Sequence, residues 1–84
     1  MKNQCPCCGF YTLDAEEPKF DICPVCFWEN DPFQTKNPEK VGANSVSLIE
    51  AKGNYRKFGA CEVSLISRTR APKLEEMFSG QNGD

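Results

Sequence analysis

Histidine is absent from the 84 residues, and that absence removes much catalytic chemistry. No imidazole is available as a general base, as the partner of a cysteine nucleophile, or as a ligand in an open catalytic metal site. Long apolar runs are also missing, so no transmembrane span is expected. The opening Met1-Lys2-Asn3-Gln4-Cys5 has no apolar segment of the kind a secretory signal needs, and none is expected. Neither charge sign dominates: ten Lys+Arg stand against twelve Asp+Glu, a formal −2, which argues against strong general nucleic-acid binding. Chain length is short as well. A chain of this size buries only roughly 60–65% of its unfolded surface, so an apolar core alone gives thin stability.

Cysteine is what the sequence has in surplus. Six occur, at 5, 7, 8, 23, 26 and 61. In a secreted chain six cysteines would suggest disulfides; without an export signal a cytoplasmic, reducing location is expected, where metal binding is the better reading. The spacing agrees. Cys5-Pro6-Cys7-Cys8-Gly9 is a CPxCG knuckle with Cys7 in the variable position, and Cys23-Pro24-Val25-Cys26 is a second CPxC, fourteen residues further on. Two thiolates in C-x-x-C sit on one side of a tight turn and take two corners of a tetrahedron. Pro6 and Pro24 pre-set φ in each turn, and Gly9 allows the positive φ that closes one. Two knuckles supply four sulfurs, the donor set of a closed structural Zn²⁺ site. The expected ligands are therefore Cys5, Cys8, Cys23 and Cys26; iron in a rubredoxin-like site would use the same four. Cys7 in place of Cys8 would make a C-x-C spacing with Cys5 and lose the knuckle register. A redox dithiol would need a βαβ context that the sequence lacks. Cys7 is then left at the knuckle tip, where exposure is expected, and Cys61 reads as a small buried hydrophobe.

The first half reads as a β-ribbon. Phe10-Tyr11-Thr12-Leu13 and Phe20-Asp21-Ile22 are strand-like, with a turn at Asp14-Ala15-Glu16-Glu17-Pro18. Their pairing would bring Cys8 and Cys23 together. Phe27 holds the place after the second knuckle that Gly9 holds after the first, so a looser second turn is expected. Phe27, Trp28 and Phe33 are expected to cover the ribbon, and residues 35–44 to form a loop.

The second half reads as helix then strand. Ser47-Leu48-Ile49-Glu50 is a capping box, the helix stops at Gly59, and Leu48, Ala51, Tyr55 and Phe58 make one buried stripe. Gly53 inside it suggests close packing. Residues 61–68 alternate well enough for a strand, with Cys61, Val63 and Leu65 on one face. Pro72 is placed to open a last helical turn through Glu75, Met77 and Phe78, with 79–84 frayed. The expected architecture is α+β: one metal-stabilised domain over 1–84, with a four-cysteine ribbon at 2–35 and a helix–strand portion at 44–78 packed on it.

With the knuckles, aromatic run and capped helix in place, the chain resembles the cysteine-rich CPCC family, small and mostly bacterial proteins. The resemblance rests on Cys5–Leu13, Ile22–Glu29, Gly42–Leu48, Asn54-Tyr55 and Phe58–Cys61. It departs where the family pattern has an acidic pair after Trp and a double Gly; here these are Glu29-Asn30-Asp31 and Val41-Gly42. The resemblance implies a metal-ribbon architecture and assigns no substrate.

Charge is unevenly spread. Residues 1–35 hold two Lys and six acids, a formal −4, so the ribbon is poorly suited to grip phosphate. The better positive patch is Arg56, Lys57, Arg68, Arg70 and Lys73, with Glu62 the opposing charge between them. These features point to an interaction or regulatory module with a protein partner. A nucleic-acid-associated ribbon acting through the basic patch is the second expectation. A small hydrolase using Glu29 and Asp31, with Asn44 or Asn54 as polar helpers, is the third.

Overall fold

Each C-x-x-C turn reverses the chain on itself, and the rest of the fold is arranged around these two reversals. The computed structural model describes residues 2–14 and 16–77. In the first knuckle Cys5 N–H donates to Phe10 O at 2.8 Å and Gly9 N–H to Cys5 O at 2.9 Å. The flanks continue as a two-stranded antiparallel pair, β1 (Asn3–Gln4) and β2 (Tyr11–Leu13), with Asn3 opposite Leu13, Gln4 opposite Tyr11, and a bulge-like shift between. The second knuckle repeats the pattern: Cys23 N–H donates to Trp28 O at 2.9 Å and Phe27 N–H to Cys23 O at 2.8 Å. Its flanks carry an antiparallel bridge between Ile22 and Glu29, and Phe20 N–H donates to Asn30 O at 2.9 Å.

The ribbon is therefore not the one expected. Residues 10–13 pair backwards onto Asn3–Gln4, and 20–22 pair forwards onto 28–30, rather than with each other. The local closure is the cheaper one, because joining a knuckle's own flanks fixes a much shorter loop. The second turn is also as closed as the first. Phe27 adopts φ +68° where Gly9 adopts φ +84°, so the sequence places a phenylalanine in the left-handed region to keep the turn.

After the second knuckle comes a short helix, α1 (Pro32–Lys36), whose last two residues fall where a loop was expected. Asp31 caps it, its Oδ1 accepting from Phe33 N–H at 2.8 Å, and Pro32 takes the first turn, where a missing N–H costs nothing. The main helix α2 (Leu48–Phe58) has the expected ends. Ser47 Oγ accepts from Glu50 N–H at 3.1 Å, and Gly59 closes the C-terminus at φ +81° with its N–H on Tyr55 O. Leu48 and Ala51 are buried and Tyr55 and Phe58 half-buried, so the stripe faces inward as its spacing requires. Tyr55 meets Phe10 edge-on, at 6.2 Å between ring centroids and 74° between planes. That contact docks α2 on the first hairpin. Gly53, by contrast, has open space where a Cβ would be; close packing is not its reason.

Residues 63–68 form a 3₁₀ helix, Val63–Arg68, and not a strand. Cys61 N–H is bonded to Cys26 O at 2.9 Å, and Asn54 Nδ2 donates to Cys61 O at 2.9 Å. The chain is thus pinned at Cys61 between the second knuckle and α2. Beyond it the inward residue is Leu65, while Val63 is exposed; apolar–polar alternation is satisfied without a sheet edge to pair with. A last 3₁₀ turn, Leu74–Met77, packs on β2. Phe78 and residues 79–84 lie outside the described residues.

The core is built of sulfur as much as of hydrocarbon. Its buried cluster comprises Leu13, Val25, Trp28, Leu48, Ala51 and five cysteines: 5, 7, 23, 26 and 61. Two short strands, two α-helices and this cysteine-centred core make the architecture α+β.

Candidate metal centre

The two knuckles bring the Sγ atoms of Cys5, Cys8, Cys23 and Cys26 within 4.8 Å of one another. The near contacts cross between knuckles: Cys5 Sγ lies 3.6 Å from Cys26 Sγ, and Cys8 Sγ lies 3.7 Å from Cys23 Sγ. A tetrahedron with metal–sulfur bonds of about 2.3 Å has edges of about 3.8 Å. The four sulfurs are therefore positioned to bind a metal ion. Cys5, Cys23 and Cys26 are fully buried, and Cys8 is half-buried.

The four thiols perturb one another strongly. The Cys23 thiol is held far below its ordinary value by hydrogen bonds from Cys26, Cys5 and Cys8, and by the Thr12 hydroxyl 3.0 Å away. The other three are pushed up, each chiefly by its bond to Cys23. Removing the remaining protons gathers four negative charges in a largely buried pocket, which only a bound cation offsets. The donor set is all thiolate, and four ligands close a tetrahedron with no position left open.

The remaining cysteines differ from each other in their match to expectation. Cys7 is buried, at 7% exposure, and not displayed at the knuckle tip. The turn carries Cys7 into the same core as Cys26 and Cys61. Cys61 is buried as expected, and burial, with the charge of Cys7 second, pushes its thiol up to about 12. A thiol so placed is packing material.

The polar residues singled out as catalytic helpers hold the frame. Both Asp31 oxygens are taken by backbone N–H groups, Oδ1 by Phe33 and Oδ2 by Ala43 at 2.9 Å. Asn44 exchanges two bonds with the Glu29 backbone, accepting from its N–H at 2.9 Å and donating to its C=O at 2.8 Å. Asn54 is the tether to Cys61 already described. The structure thus spends Asp31, Asn44 and Asn54 on shape. Gln34, which the sequence reading did not single out, is fully buried at the centre of this frame.

Of the basic patch, Arg70 is engaged in a two-pronged ion pair with Glu76, Nη1–Oε1 at 2.9 Å and Nη2–Oε2 at 2.7 Å. Arg56 instead joins Lys52, one turn earlier on α2, beside a cleft of about 530 Å³ over the first knuckle, lined also by Gln4, Cys8 and Gly9. Neither cation has an acidic partner among the described residues. Lys52 was not singled out in the sequence; its i, i+4 spacing from Arg56 is the sign that places both on one helix face.

The cysteine-rich CPCC family model matches residues 3–76, spanning both knuckles, α2 and the 3₁₀ helix Val63–Arg68. The chain belongs to the cysteine-rich CPCC family. The matched span contains all four cysteines of the cluster. No curated protein matches the chain. No helix among the described residues is long and apolar enough to cross a membrane.

Proposed function

We propose that the chain is a zinc-stapled protein-interaction module in which Cys5, Cys8, Cys23 and Cys26 ligate one Zn²⁺. The carrying observation is the crossed pair of sulfur separations, 3.6 and 3.7 Å, which match the edges of a thiolate tetrahedron. A site closed by four protein ligands leaves no place for substrate, so the ion acts on structure. Structural Zn²⁺ in small domains contributes roughly 10–16 kcal/mol of binding free energy. That is the size of a whole domain's stability, and here it substitutes for hydrocarbon in a core half made of cysteine. Free thiols so arranged suit a reducing compartment, and the proposal accordingly places the protein in the cytoplasm. Apolar side chains left exposed on the metal-fixed frame, Ile22 among them, supply surface for a protein partner.

Metal analysis of natively purified protein tests the first half. One zinc per chain is expected, with cobalt replacement giving the visible spectrum of a tetrahedral thiolate site. Stoichiometric iron would reassign the ion, and a cooperatively folded, metal-free protein would remove the proposal. Capture from native extract tests the second half: a saturable protein partner is expected, and its absence counts against the interaction role.

A further inference from the structure

The φ of +68° at Phe27 is a conformation that glycine adopts freely and a bulky side chain adopts only at a cost. The first knuckle meets the same need with Gly9. Contact with the hydrophobic core does not explain the choice. The half-buried side chains seated on the core are Cys8, Phe10, Val46, Tyr55 and Leu65, and Phe27 is not one of them. Instead the Phe27 ring lines a groove of about 280 Å³ together with Ile22, Leu65, Asn44, Glu29 and Glu62.

This groove has an apolar floor and an acidic rim. Ile22 is 48% exposed within it. The Glu29 carboxylate has no partner among the described residues. Glu62 is oriented by two hydroxyl donors, Ser45 Oγ at 2.7 Å and Ser64 Oγ at 3.1 Å. The floor is held in place by the Ile22–Glu29 bridge and by the two Asn44 bonds to Glu29, so little ordering is required on binding. Residues 1–35 carry a formal −4 from two Lys and six acids, which draws cations toward this side.

We propose that this groove is the recognition face of the module and takes a basic, aliphatic segment of a partner protein. An arginine or lysine lays its stem and cation across the Phe27 ring and directs its charge to Glu29 and Glu62, while a neighbouring aliphatic side chain covers Ile22 and Leu65. The assignment rests on the interaction reading above and names its surface and the partner's chemistry. The groove holds one anchoring side chain and part of a second, less than the space small-molecule sites usually offer.

The test titrates the isotope-labelled, zinc-loaded full chain with acetyl-Leu-Arg-Ile-amide and acetyl-Leu-Glu-Ile-amide, read by amide chemical shifts. The arginine peptide is expected to shift the amides of residues 22–29 and 44–45 saturably, with the glutamate peptide at least about tenfold weaker. Phe27→Gly is expected to keep its zinc and melt no lower than the wild type, since glycine suits the turn, yet to bind the arginine peptide about tenfold more weakly. Glu29→Gln, with the ring intact, is expected to weaken it about threefold. Equal response to both peptides, or shifts elsewhere, overturns the proposal. A Phe27→Gly protein that loses zinc or melts lower also does so, because the ring would then be structural. Shifts that grow with protein concentration alone would give the groove to a second copy of the chain and overturn it too. A captured partner held equally by wild type and Phe27→Gly overturns the groove and leaves the interaction reading standing.

Discussion

The Gln34 side-chain carbonyl accepts from both nitrogens of Asn44, the backbone N–H at 3.0 Å and Nδ2 at 2.8 Å. Its Nε2 donates to Lys40 O at 2.8 Å and Val46 O at 3.0 Å. All four capacities of a fully buried amide are used. Through Asn44 the network continues to Glu29, so the loop after α1 is fastened to the second knuckle.

Gln34→Leu removes this hub and leaves several buried backbone groups unpaired. A loss of about 3 kcal/mol or more is expected by urea unfolding of the metal-loaded protein. Gln34→Glu, which keeps the shape and replaces a donor by a charge, should also destabilise. A loss under about 1 kcal/mol for Gln34→Leu would contradict the network's role.

Serine at any one of Cys5, Cys8, Cys23 or Cys26 is expected to weaken metal retention sharply and to broaden or abolish the thermal transition. Cys7→Ser is the contrasting variant. It places a hydroxyl in the core and should cost about 1–2 kcal/mol, while keeping one metal ion per chain. Metal content and melting curves measured together check both expectations.

Much of this centre was legible in the residues, because C-P-x-C states ligand spacing and turn geometry in four letters. The capped helix α2 was equally legible: Ser47, Glu50 and Gly59 mark its ends whatever it packs on. The pairing of residues 10–13 and 20–22 was not, since strand propensity says nothing about partners and each knuckle already supplies the nearest one. Alternation at 61–68 misled for a related reason, as Cys61, just before the 3₁₀ helix, and Leu65, within it, both face inward without a strand. Helix α1 was not read, although Asp31-Pro32, a cap followed by a first-turn proline, is a local sign of it. The inward turn of Cys7 and the Gln34 network depend on tertiary placement and left no local sign.

Two glycines should respond oppositely to alanine. Gly53 has nothing within 4 Å of the added methyl, so Gly53→Ala should stabilise α2 by about 1 kcal/mol. At Gly42 the new Cβ would meet Asp31 Oδ2 at 2.5 Å and Gln34 Cγ at 2.9 Å. Gly42→Ala should therefore cost about 1–3 kcal/mol, read as a shift in the denaturation midpoint.

The Arg70–Glu76 pair gives a pH signature. Glu76 is 7% exposed, and Arg70 holds its carboxyl below the ordinary glutamate value, with Lys73 N–H at 2.8 Å assisting. A depressed folded pKa means the pair stabilises fully above the unfolded value of about 4.3 and loses that contribution as pH falls through the lower folded value. Glu76→Gln should cost about 1 kcal/mol at neutral pH, Arg70 being partly solvated. The gap in melting temperature between wild type and variant, compared at matched pH, should narrow below about pH 4.3. A gap that widens on acidification would contradict the assignment.

Burial is uneven around the four sulfurs, and this sets an order of events when the cluster is attacked. Three of the ligand side chains are sealed, while Cys8 keeps an edge toward the cleft beside Lys52 and Arg56. Chelators and alkylating reagents are met first at that edge, where two cations draw anionic reagents in. With a metal bound as proposed, Cys8 is expected to be the first thiolate released, and Cys23, which has the Thr12 hydroxyl 3.0 Å away, among the last.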